Sequence, residues 1–225
     1  MKQNKTVISA ISLDLADNER APYSLEVRLP PSSPSSDDDL LSAVGQGDKR
    51  AFALLMRRYL PMTVALAQRI TLDKQDAFEI AQEAYLRVWL HANQWDVAGK
   101  ATFETWLRRI TINLAISYRR RKRKGVSLDT IEELADNRAD GFDIVATADK
   151  KRLVHQALAT LPLRQRAAVA LYYFEEISQI EAAAAMQLTL RAFDSLLVRS
   201  RRNLKRRLID LGIMSHDADL QSYVP

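Results

Sequence analysis

Residues 103–124 read FETWLRRITINLAISYRRRKRK, and residues 190–208 read LRAFDSLLVRSRRNLKRRL. In the first stretch Phe103, Leu107, Ile110 and Leu114 recur at helical spacing and predict a buried stripe. Arg108, Arg109, Arg119, Arg120, Arg121, Lys122, Arg123 and Lys124 share that helix, with no acid after Glu104. In the second stretch the core-facing positions are expected among Ala192, Phe193, Leu196 and Leu197. That leaves Arg191, Ser195, Arg199, Arg202 and Arg206 for phosphates or bases. An acidic stretch, residues 129–149, separates the two. No segment shows the period-two alternation of a strand, so the fold class is all-α. Two segregated cationic helices point to a protein that holds DNA at two places.

The chain has 225 residues, enough for two small helical domains. Its 33 basic and 28 acidic residues leave a net charge of +5, modest in sum but segregated along the chain. There is no cysteine, which excludes disulfides, thiol catalysis and thiolate metal sites and fits a reducing cytosol. No apolar run approaches the ~20 residues of a membrane span. VISAISLDL near the start is short and interrupted by Asp14. Neither membrane insertion nor a signal peptide is expected, and the expected location is cytoplasmic.

Residues 1–36 lack a sustained period and end in LPPSSPSS, which cannot build a core, so they read as a flexible extension. Residues 37–124 form the first domain. Asp37, Asp38 and Asp39 open a helix whose amino end favours acids. Leu40, Leu41, Val44, Phe52, Leu55, Met56, Tyr59 and Leu60 follow at helical spacing around a turn at Gly45 to Gly47, and Pro61 punctuates. A further helical segment runs from Asp73 to Leu90. Residues 125–149 read as an acidic flexible linker. Residues 150–208 form a second domain, broken at Leu161 and Pro162, helical from Leu163 to Phe174, then carrying two further helices. Residues 209–225 are a tail without a readable pattern.

Hydrolytic chemistry finds no support. His91, His155 and His216 are far apart, and no HExxH, glycine-rich phosphate loop or GxSxG occurs. No catalytic residue, metal site or cofactor is expected. Asp76, Glu79 and Glu83 share a helix face at spacings of three and four, read either as a solvated face or as a protein-docking face. Trp106, Asn113, Ser117 and Tyr118 lie beside the stripe of the first basic helix. Arginines there bind phosphate, asparagine pairs with a base edge, and aromatics stack on unpaired bases. The preceding loop, with Gln94, Trp95 and Lys100, suits a pocket for a base pulled from the stack. In the second domain Ser178 and Glu181 form a capping pattern, Gln187 and Leu188 a turn, and Thr189 the next cap. That is helix-turn-helix spacing, with the second helix suited to the major groove.

These residues resemble the extracytoplasmic-function (ECF) sigma factors of bacterial RNA polymerase, over residues 38–208. DLLSAVGQGDKRAFALLMRRYLPMTVALAQRI resembles the opening helices of the family's region two, and DAFEIAQEAYLRVW the stretch that docks on the polymerase clamp. FETWLRRITINLAISYRRRKR resembles the helix that melts and reads the −10 element. LPLRQRAAVALYYFEEIS resembles the start of region four, which reads the −35 element.

The resemblance implies that Asp76, Glu79, Gln82 and Glu83 contact the polymerase clamp. It implies that Gln94 to Ala101, with Trp95 and Lys100, capture a flipped base. Trp106, Arg109, Asn113, Ser117, Arg119 and Arg120 would line the −10 element. Arg191, Ser195 and Arg199 would face the −35 element, with Arg202 on phosphate. The implied partners are core RNA polymerase, promoter DNA in duplex and single-stranded form, and an anti-sigma factor. The chain departs from the family pattern where Gln187 stands for a turn glycine, Asp194 for a frequent basic residue and Leu196 for a common arginine. A stand-alone helix-turn-helix regulator is the alternative reading, against which the acidic face and the basic-aromatic helix both speak.

Overall fold

The computed structural model describes residues 36–95, 101–125 and 152–215, together with Leu220. The extension before Ser36, Lys100, the acidic linker and the rest of the tail lie outside the described residues. Every regular element among the described residues is helical.

Helix α1, Asp37–Gly45, starts at a complete capping box: the Ser36 hydroxyl accepts from the Asp39 N–H, and the Asp39 carboxylate accepts from the Ser36 N–H. Helix α2, Lys49–Thr71, starts at Asp48, whose carboxylate accepts from the N–H groups of Arg50 and Ala51. Pro61, read from sequence as punctuation, lies inside α2 and leaves it unbroken. Proline costs an interior helix about 3 kcal/mol. Here it sits on the exposed side, where water can reach the carbonyl it deprives of a donor. The buried stripe of Phe52, Leu55, Met56, Leu66, Ala67 and Ile70 runs past it on both sides and holds the helix together.

Helix α3, Lys74–His91, is capped by Asp73 and buries Ala77, Ile80, Ala81, Ala84, Tyr85 and Val88. A single 3-10 turn, Ala92–Gln94, follows. Helix α4, Phe103–Gly125, packs against α2 and α3. Phe52 sits edge-on to both Tyr85 and Trp89, so Trp89 belongs to the core.

Asp76 joins α3 to α4. It is only 3 % exposed, 3.2 Å from the Lys122 ammonium and 3.5 Å from the Arg119 guanidinium. The sequence places Asp76 with Glu79 and Glu83 on an open acidic face, and the structure corrects this. The basic end of α4 lies across Asp76 and closes it off from solvent.

The second group of helices comprises α5 (residues 152–159), α6 (Leu163–Val169), α7 (Gln179–Ala185) and α8 (Leu190–Asp210). The expected helix from Leu163 to Phe174 changes character midway, because Ala170–Phe174 widens into a π-turn. Phe193, Leu197, Ser200, Leu204 and Leu208 form the inward stripe of α8. Ala192, expected inward, is exposed, and Leu196 is half-buried. The tail also departs from expectation. Gly212 takes a positive φ of 71°, and the Ile213 N–H bonds back to the Leu208 carbonyl. Met214 and Leu220 are both buried.

The two groups pack against each other, α2 and α4 against α6 and α7. The joint is polar. Arg166, itself buried, donates to the carbonyls of Leu158, Ala159, Leu161 and, across the joint, Ile70 at 2.6 Å. The Ile70 carbonyl, one of those α2 leaves unsatisfied at its end, is therefore capped from the other half of the chain. Glu175 takes a charge-assisted hydrogen bond from Arg69 and lies 3.9 Å from Arg108. Arg69 also stacks over the Phe174 ring at 4.8 Å.

Two predictions follow from this packing. Asp76→Ala should lower unfolding stability by about 1 kcal/mol in urea titration, since it removes a nearly buried carboxylate that two cations share; an effect within error would show that the pairs carry no weight. The second concerns pH. Burial first, and the Arg166 charge as well, hold the His155 imidazole below its ordinary value of 6.5. A depressed histidine contributes stability that is present above the ordinary value and lost as pH falls beneath it. Between pH 7.5 and 5.5, wild-type Tm should therefore drop more than that of His155→Gln, while parallel curves would contradict the assignment.

Candidate nucleic-acid interface

Helix α4 begins at Thr102, whose hydroxyl accepts from the Thr105 N–H at 3.2 Å. Its first turn is wrapped in aromatic rings. Trp106 lies 5.4 Å from Trp95 and 6.0 Å from Phe103, and Tyr59 meets Phe103 edge-on at 5.2 Å. The Trp95 indole N–H donates to Asp38 at 2.8 Å, fixing its ring to the start of α1. Trp95 and Trp106 are each half-buried, and Gln94 is exposed. Residues 96–100 lie outside the described residues.

Further along α4 the side chains divide by angle. Phe103, Leu107, Thr111, Leu114 and Ala115 face α2 and α3 and are buried. Ile110, predicted inside, is only half-buried. Arg108 and Ile112 carry the burial of the same helix on past Ala115. There α4 meets α7. Arg108 bonds Glu104 at 2.7 Å, and its Nε has no hydrogen-bond partner among the described residues.

Trp106, Asn113, Ser117 and Arg120 fall between these two buried sides at spacings of seven, four and three, with Arg109 adjoining. Asn113 and Arg120 are exposed. The Asn113 amide reaches toward the Gln187 side chain at 3.5 Å, near the limit for a hydrogen bond. Arg119, expected in the same row, turns the other way toward Asp76. Tyr118 donates to Glu79 at 2.8 Å, and the carboxylate raises the phenol well above its ordinary range. Lys100 falls outside the described residues.

The acidic helix α3 shows more than its acids. Glu83 pairs with Arg87 at 3.1 Å on an exposed turn, a contact worth little. Beside it runs a row at i, i+4 spacing: Phe78 is 47 % exposed, Gln82 is open, Leu86 is half-buried and Leu90 is 50 % exposed. Sequence reasoning missed this apolar row. Its signal was the four-residue repeat of large residues outside the Ala77–Ile80–Ala84 stripe.

On the other half, Ser178 and Glu181 close a second capping box, and the two bonds from Ser178 hold the Glu181 carboxyl below its ordinary range. Gln187 occupies the turn with φ 54°, and the Leu188 N–H bonds to the Ala183 carbonyl at 2.9 Å. This left-handed position is one glycine fills without cost, and glutamine holds it here under mild strain. Thr189 caps α8 by accepting from the Ala192 N–H. Arg191, Ser195, Arg199 and Arg202 then lie exposed along one face, continued by Arg206. The Arg199 guanidinium touches its own helix at the Ser195 carbonyl, 3.1 Å away. Arg201 faces elsewhere and stacks on Tyr172 and Tyr173 at 4.7 and 5.6 Å. Among the described residues no group of acids and histidines is placed to hold a metal, and no helix is long and apolar enough to cross a membrane.

A family profile described as Sigma-70 region 2 matches residues 55–125, and one described as Sigma-70, region 4 matches residues 151–204. The ECF RNA polymerase sigma factor SigW of Bacillus subtilis is 30% identical over 183 residues, covering 76% of this chain and 96% of the relative. The RNA polymerase sigma-H factor of Pseudomonas aeruginosa is 30% identical over 184 residues, covering 76% and 93%. Among solved structures, CnrH in complex with the cytosolic domain of CnrY superposes with a TM-score of 0.58 at 24% identity, covering 79% of this chain and 99% of that one. That superposition supports the all-helical fold. With both profiles in order and relatives matched along nearly their whole length, the chain belongs to the ECF sigma factors of RNA polymerase.

Proposed function

We propose that the chain docks on core RNA polymerase through the exposed face of α3 and carries promoter DNA on α4 and α8. It contributes binding, while the polymerase supplies the chemistry, in the cytoplasm. The unit spanning residues 37–124 takes the −10 element and the unit spanning residues 150–208 the −35 element. The observation that carries this reading is the mixed row on α3: Phe78, Leu86 and Leu90 supply apolar contact beside Glu79, Gln82 and Glu83. Exposed large apolar residues flanked by acids suit a partner surface that is itself apolar and basic. Asp76 is left out of that surface, since it supports α4 from within.

On α4, Arg109 and Arg120 meet phosphate, while Asn113 and Ser117 reach base edges. The Trp95–Trp106 surface, with Gln94 and Lys100 at its loop, stacks an unpaired base. Unstacking costs a few kcal/mol, and aromatic stacking returns about 1–3 kcal/mol. Arg119 steadies the helix through Asp76 instead of contacting DNA. On α8, Arg191, Ser195 and Arg199 face duplex DNA, with Arg202 on phosphate. Two modest DNA contacts joined through one large enzyme act as a bivalent grip, so neither has to be strong alone. An anti-sigma factor is a further partner, as in the solved complex of the sigma factor RpoE with the anti-sigma factor NepR from Bartonella quintana.

Titration of the purified chain with core polymerase tests the docking face. Phe78→Ala and Leu90→Ala each remove roughly half a side chain's worth of burial and should weaken binding about tenfold. Glu83→Lys should weaken it by at least as much, with circular dichroism unchanged. Wild-type affinity in all three variants would place the docking surface elsewhere.

A further inference from the structure

Helix α8 carries its exposed side chains in two adjoining rows. Arg191, Ser195 and Arg199 form the row assigned to duplex DNA. Leu190, Asp194 and Val198 form the other, at the same four-residue spacing. Asp194 is exposed, and among the described residues no hydrogen bond or ion pair reaches its carboxylate. Leu190 is 47% exposed and Val198 58%. An open acid therefore stands between two open apolar side chains, one turn to either side of it.

Position along the helix bears on what this row can contact. Arg199, Arg202 and Arg206 place phosphate-seeking charge in the second half of α8. The first turns hold Arg191 and Asp194, whose charges cancel. A recognition helix sets its amino-terminal residues against base edges. A carboxylate there is repelled by phosphate, and it accepts hydrogen bonds without donating any, so it needs a donor on a base. Two bases offer an amino group in the major groove, cytosine at N4 and adenine at N6. Adenine sets the N7 lone pair beside its amino group, facing the second carboxylate oxygen, whereas cytosine sets a C–H there. The apolar feature of the same groove is the thymine methyl group, which suits Leu190 and Val198.

We propose that Asp194 is a specificity-determining residue of α8: its carboxylate accepts from the N4 amino group of a cytosine in the −35 element, with Leu190 and Val198 against thymine methyl groups beside it. The proposal rests on the reading of α8 as the helix that enters the upstream duplex. Every phosphate opposes an acid in this row whatever the sequence, so Asp194 lowers general affinity while it sharpens the choice of site.

Selection from fully randomised duplexes by the chain assembled with core polymerase, followed by sequencing, tests the contact. Wild type should recover an upstream motif with a fixed cytosine, and replacing that C·G pair by T·A should weaken binding about tenfold. Asp194→Ala should recover the same motif with that one position relaxed, and should bind random duplex no more weakly than wild type. Asp194→Asn should move the position to adenine, because an amide both accepts and donates. Val198→Ala should lose a neighbouring thymine. An upstream motif unchanged in both Asp194 variants would overturn the cytosine contact. So would a loss of affinity in Asp194→Ala that is equal on every duplex. If Val198→Ala weakens polymerase binding and leaves the motif intact, the apolar pair meets protein and the thymine contacts are overturned. A wild-type complex that selects no upstream motif at all would instead remove the reading of α8 on which the proposal rests.

Discussion

Helix α4 is buried along two sides, and much of the rest of the structure follows from that. One side, built from Phe103, Leu107, Thr111, Leu114 and Ala115, completes the core formed by α2 and α3. The other, built from Arg108 and Ile112, lies under the second half of the chain. What remains is a strip carrying Trp106, Asn113, Ser117 and Arg120. A helix held on both flanks cannot roll or fray, so the side chains on the strip keep fixed spacing. The Asp76 contacts with Arg119 and Lys122 extend the same restraint to the basic end of α4.

The two buried sides differ in chemistry. The first is apolar and continuous with the core, so its loss means unfolding. The second adds charge and backbone capping to the apolar core, which runs on into the other half of the chain: Glu175 with Arg69 and Arg108, and Arg166 on the Ile70 carbonyl. Groups of this kind exchange protein partners for water at modest net cost.

The helical class, the capping boxes at Ser36 and Ser178, and the helix-turn-helix at Thr189 were all legible, because each depends on local periodicity and on donors within one turn. Pro61 was misread because proline is a local signal, and the stripe that overrides it belongs to tertiary packing. Asp76 was misread for a related reason. A helix wheel ranks acids by angle, and only the path of α4 shows which of them is closed over. Ile112 and Arg108 were invisible as buried residues, since their cover comes from residues far along the chain. The apolar row of Phe78, Leu86 and Leu90 was present in the sequence at i, i+4 spacing but was masked by the stronger Ala77–Ile80–Ala84 stripe beside it.

Amide hydrogen exchange on the full-length chain, free and bound to core RNA polymerase, tests the docking face most directly. Binding should add protection along α3 from Phe78 to Leu90. Unchanged exchange at α3 would contradict a sigma subunit that docks through that face.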